Sequence, residues 1–86
     1  MEINNIRQQI DETDNEIINL LIKRKNLVIE IAKIKKTKGL LVLDKEREAK
    51  LIHRVTHRSK ELDSDFIASL FELIMENSKK VQEKWK

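Results

Sequence analysis

Between Ile3 and Ile34, apolar side chains return at alternating intervals of three and four: Ile3, Ile6, Ile10, Ile17, Leu20, Leu27, Ile31 and Ile34, with Thr13 filling one slot. That period is the stripe of one long amphipathic helix, and no Gly or Pro interrupts it. The pattern predicts a first helix from about Asn4 to Lys36, ended by Gly39, the only residue suited to a left-handed turn. An apolar link, Leu40-Leu41-Val42-Leu43, should pack as a short connector. Asp44 then reads as an N-cap, with Glu46 and Glu48 near the positive end of the next helix dipole. This second helix runs to about Arg58, with Leu51, Ile52 and Val55 on its inner face. Asp63 caps a third helix, Leu62 and Ile67 stand at the two positions of a hydrophobic staple, and the stripe is Phe66, Ile67, Leu70, Phe71, Ile74, Val81 and Trp85.

The lengths are mismatched. The first helix should be about 48 Å long, the others about 22 and 33 Å, at 1.5 Å per residue. Neither short helix covers the long stripe, and an exposed stripe of that size is what soluble chains avoid. A homodimer in which the two long helices pack on each other removes the conflict.

Arg24 falls in the register of the long stripe, where an Ile or Leu belongs. A buried guanidinium needs a partner, and where no carboxylate of the chain supplies it a bound anion is a candidate. Lys35 lies eleven residues further on, nearly the same face and about 16 Å away. Arg7 is about 26 Å before Arg24, beyond reach of one small ligand within a single chain. In an antiparallel pair of first helices centred near residue 18, however, the partner's Arg7 falls opposite residues 29 to 33. On the second helix Asp44 and Glu48 edge the inner face. On the third, Ser78 and Gln82 stand four apart in the row of Phe71 and Ile74. Each has a plain alternative: Arg7 snorkelling to water, Asp44 only capping, Ser78 bonding its own helix, Glu48 in an ordinary ion pair. Arg24 and Gln82 resist such readings because both interrupt apolar rows. His53 and His57 belong to a polar flank.

Composition narrows the class. The 86 residues include one Gly, no Pro and three aromatics (Trp 1, Phe 2, Tyr 0), which fits an all-α single domain over residues 1–86. Without Cys there is no disulfide and no thiolate metal site. The 18 basic and 15 acidic residues are interleaved, giving a net charge of only +3. The densest basic stretch, Lys33, Lys35, Lys36 and Lys38, sits where a helix dipole favours cations, so nucleic-acid binding is not expected. No segment looks like a secretion signal or a membrane span, so a cytoplasmic protein is expected.

The chain resembles the all-helical class of chorismate mutases over nearly its whole length. The first helix reads R-x2-I-D-x2-D, L-L-x2-R and I-A-x-I-K, holding Arg7, Arg24 and Lys35. A D-x-x-R-E block stands as Asp44-Lys45-Glu46-Arg47-Glu48, and Ser78 and Gln82 complete the third helix. The resemblance implies an intertwined homodimer of three-helix protomers, each site borrowing one arginine from its partner, and no metal or cofactor. It implies that chorismate rearranges to prephenate, on the route to phenylalanine and tyrosine, in a concerted step needing geometry and charge rather than a nucleophile. By that likeness, the partner's Arg7, Arg24 and Ser78 bind substrate carboxylates, and Lys35 and Gln82 donate to the breaking ether oxygen. Glu48 accepts from the ring hydroxyl, with Asp44 helping, and Arg47 lines the site. A related enzyme of the same fold that eliminates pyruvate from isochorismate, and a non-catalytic helical dimerisation module, are the competing readings. The module gives no reason for Arg24 and Gln82 to be polar.

Overall fold

The computed structural model describes residues 2–85, arranged as α1 (Ile3–Lys38), α2 (Lys45–Thr56) and α3 (Ser64–Lys84). The expected all-helical architecture is present, and among the described residues there is no strand. Gly39 ends α1 in the left-handed region at φ 68°. Its N–H and that of Leu40 reach back to the carbonyls of Lys36 and Lys35 at 3.3 and 2.8 Å, closing the last turn. Asp44 accepts from the Arg47 N–H at 3.0 Å, and Asp63 from the Phe66 N–H at 2.9 Å, so both expected caps form.

The second helix stops at Thr56, two residues short of Arg58. Its final turn is occupied by side chains: the Thr56 hydroxyl donates to the Ile52 carbonyl at 2.7 Å, and the His57 ring lies 2.8 Å from the His53 carbonyl. Such local bonds compete with continuing the helix.

α3 is the central element, packing against α1 on one side and α2 on the other, while the backbones of α1 and α2 stay apart among the described residues. Arg24 meets Ser78 and Lys33 meets Trp85, so α1 and α3 run in the same direction. Glu48 meets Lys79 while His53 and His57 share a groove with Glu72, so α2 runs opposite. The buried apolar residues are Val28 and Ala32 of α1, Leu51 of α2 and Ile67 of α3.

α3 covers the flank of α1 that carries Val28 and Ala32, beside the long stripe and not on top of it. The eight stripe residues Ile3, Ile6, Ile10, Ile17, Leu20, Leu27, Ile31 and Ile34 stay 42–65% exposed. Phe66 and Leu70 of α3, its C-cap Trp85 and Leu62 of its staple are exposed as well, against expectation. The connector also departs from the expected packing. Leu40, Leu41 and Leu43 face outward, Leu41 at 81%, and only Val42 is half-buried. Six residues linking two helix ends have to turn, and they cannot direct every side chain to one side.

The result is a rod of 56 × 24 × 15 Å. Its radius of gyration of 16.2 Å exceeds the roughly 12 Å of a compact chain this long. Its accessible surface of 7478 Å² exceeds by about 2,200 Å² what a folded monomer of 10.2 kDa exposes. Among the described residues no helix is long and apolar enough to cross a membrane.

Candidate active site

Consecutive positions on α3 point about 100° apart, and this helix uses the difference to address both neighbours. Ser78 faces α1, where the Arg24 guanidinium donates to its hydroxyl. Lys79 faces α2, where it pairs with Glu48 at 3.5 Å. Gln82, one turn beyond Ser78, returns to the α1 side and shares a cavity of about 240 Å³ with Ala32, Lys35 and Val42. The row of Ser78 and Gln82 therefore spans the interval between Arg24 and Lys35, and the four side chains that the stripe left unexplained line one side of the molecule.

Arg24 is half-buried, and its partner is a neutral hydroxyl, itself donating to the Ile74 carbonyl at 2.9 Å. Among the described residues no carboxylate forms an ion pair with it. Burial first, and then the positive charge of Arg47, lower its pKa below the ordinary arginine value. The two positive charges oppose each other, so negative charge placed between them would be favoured. Lys35 donates to the Val42 carbonyl at 3.0 Å, which ties its ammonium to the connector and leaves two further N–H donors.

The Gln82 side-chain oxygen is buried and has no hydrogen-bond partner among the described residues. Leaving a buried amide unpaired is costly. An amide can present its carbonyl or, turned over, its NH₂ at the same place. A ligand atom in the Lys35 cavity would satisfy it.

A second cavity, about 340 Å³ and mostly apolar, lies on the other side of the Arg24–Ser78 contact between Ile18, Leu21, Ile22 and Leu73. Asp44 caps α2 through the Arg47 N–H and so fixes where Arg47 and Glu48 begin. Glu48 is half-buried. Arg24, Lys35, Ser78 and Gln82 thus line the α1–α3 face, Glu48 joins them from α2 only through its pair with Lys79, and Arg47 acts on Arg24 through its charge. Arg47 and Asp44 are exposed, and Asp44 contacts only its own helix start. Arg7 stands apart: it is exposed on the uncovered half of α1, about 26 Å from Arg24 along the helix axis. His53 and His57 stack on each other at 4.2 Å in the outer groove between α2 and α3, apart from Arg24, Lys35, Ser78 and Gln82. Among the described residues, no group of three His, Cys, Asp or Glu side chains is placed to hold a metal ion.

Two participants escape the sequence pattern. The Val42 carbonyl acts through its backbone, which no side-chain pattern reports. Lys79 reads as an ordinary surface lysine until α2 is laid beside it. Its only sequence signal is its place directly after Ser78.

The chain matches the chorismate mutase type II family over residues 6–83, a span that holds all eight expected site residues. It belongs to that family. A chorismate mutase from Methanocaldococcus jannaschii is 33% identical over 82 residues, covering 93% of this chain and 83% of the archaeal protein. Bifunctional chorismate mutase/prephenate dehydratases are similar too. The one from Buchnera aphidicola subsp. Acyrthosiphon pisum is 39% identical over 91% of this chain, and that from Escherichia coli 35% identical over 85%. The chain spans only 21% and 19% of those two longer relatives, against most of the archaeal one.

Proposed function

We propose that this chain is an isomerase that converts chorismate to prephenate, in a site completed by a second copy of itself. The observation that carries the reading is Arg24: half-buried, beside Arg47 and lacking a carboxylate partner, it is a seat prepared for an anion. Family membership supplies the identity of that anion, a dicarboxylate whose rearrangement needs no nucleophile.

The roles follow from the chemistry of each group. Arg24 and the Ser78 hydroxyl take one carboxylate, since a planar guanidinium suits bidentate pairing. The partner's Arg7 takes the other. The long helices pair antiparallel about residue 18, which sets the partner's Arg7 against the stretch between Arg24 and Lys35 and covers the exposed apolar stripe. Fixing both carboxylates holds the enolpyruvyl arm over the ring, so the entropy of reaching the reactive conformer is lost on binding and not in the transition state. Lys35 and the Gln82 amide donate to the ether oxygen as its bond breaks and charge grows there. The Glu48 carboxylate accepts from the ring hydroxyl, and Arg47 adds positive potential at the rim.

A continuous spectrophotometric assay of chorismate disappearance, with prephenate identified as the product, tests this directly. Pyruvate release from isochorismate, with chorismate left untouched, would move the reading to the lyase of the same fold. Neither activity in folded protein would leave only the dimerisation module.

A further inference from the structure

Lys79 is a cation at the edge of the site with no role in the scheme above. Its ammonium lies 3.5 Å from a Glu48 oxygen and 3.4 Å from a Glu76 oxygen, joining α2 and α3. Lys79 and Glu48 are both about 30% exposed, whereas Glu76 is 61% exposed. Half-exposed pairs of this kind contribute little to stability, so the pair calls for another explanation.

Glu48 is a carboxylate next to the Arg47 it follows, and Arg47 in turn is close enough to Arg24 to lower its pKa. A carboxylate beside guanidinium groups is drawn into bidentate pairing with them. If Glu48 collapsed in that direction, it would neutralise the seat meant for the substrate and lose its own hydrogen bond to the substrate hydroxyl. Lys79 competes for it from the opposite side, anchored by Glu76. Partial withdrawal from water disfavours the Lys79 charge, but the two carboxylates outweigh this and raise its pKa, so it stays a cation.

We propose that Lys79 is a positioning residue: it holds Glu48 against α3, off the arginines and aimed at the substrate hydroxyl. The proposal rests on the mutase reading of the site. Because the effect is exerted on an approach that ground and transition states share, it should fall on KM more than on kcat. Lys79→Met should raise KM for chorismate roughly tenfold and alter kcat by less than about threefold, while Lys79→Arg keeps KM within about threefold of the parent.

The deciding measurement is a double-mutant cycle with Glu48→Gln, which no longer carries the charge for Lys79 to restrain. Lys79→Met added to Glu48→Gln should change kcat/KM no further. An unchanged KM in Lys79→Met, or the same loss in both backgrounds, overturns the proposal, the second outcome meaning that Lys79 touches substrate itself. A lowered melting temperature with unaltered kinetics also overturns it. Parent protein that turns over no chorismate removes the mutase reading and this proposal with it, whereas active parent with indifferent Lys79 variants removes this proposal alone.

Discussion

The two halves of α1 carry the same exposed apolar stripe, but only one of them has its flank buried against another helix. From Arg24 onward the helix lies against α3, with Val28 and Ala32 buried and Arg24 and Lys35 half-buried among groups of the other helices. From Ile3 to Leu20 every residue is exposed, although Ile3, Ile6, Ile10, Ile17 and Leu20 are as apolar as anything in the covered half. The covered half also holds Arg24 and Lys35 of the candidate site, while the bare half holds Arg7. A stripe exposed past the protein's own body is the surface that the proposed second copy would cover. The charge placed on that bare half points to what it serves.

The largest effect belongs to the covered half. Gln82→Leu should lower turnover roughly a hundredfold or more, because an oriented donor is lost. Gln82→Glu should regain activity as pH falls, since a carboxyl group donates only when protonated and its ordinary pKa is about 4.3. Turnover of the three proteins from mildly acidic to neutral pH checks this. Wild-type turnover in Gln82→Leu would remove the donor role.

The next test concerns the bare half. Ile10 is 52% exposed in the single chain, where truncation to alanine would change stability by no more than about 0.5 kcal/mol. If a second copy buries it, Ile10→Ala should instead cost about 2–5 kcal/mol, with unfolding midpoints that rise with protein concentration. Chemical denaturation at several concentrations separates the two. A small, concentration-independent change would show that this half stays solvated.

Arg24→Leu sharpens the comparison from the other side. It completes the apolar register and removes a guanidinium whose charge is already disfavoured by burial and by Arg47. Activity should collapse, while stability rises by about 1 kcal/mol, or roughly 4–8 °C in melting temperature. Activity and stability falling together would mean that Arg24 holds the fold.

The smallest effect is the cap of α3. Asp63→Ala should lower stability by about 1 kcal/mol by releasing the Phe66 N–H, and it should leave KM unchanged. Calorimetry with parallel kinetics checks both.

Local chemistry made most of the fold legible. The stripe of α1, Gly39 and the caps Asp44 and Asp63 act within a few residues, so a single sequence carries them. The connector and the outer residues of α3 were not legible. Whether Leu41 or Phe66 is covered depends on what packs across from it, and their apolar character says nothing about which chain that is. In the site, Arg24 and Gln82 stood out because each breaks an apolar row. The Val42 carbonyl and Lys79 did not, because one is backbone and the other became meaningful only once α2 and α3 lay side by side.

The central claim is that one working site needs Arg24 from one copy and Arg7 from another, and mixing two inactive proteins tests it. Arg7→Ala and Arg24→Ala should each lose activity alone. After verified subunit exchange, their heterodimer holds one site with both arginines intact and one with neither, so activity should return toward half of the parent value per heterodimer. No recovery once exchange has been shown would contradict the account, because it would place both arginines in the same chain's site.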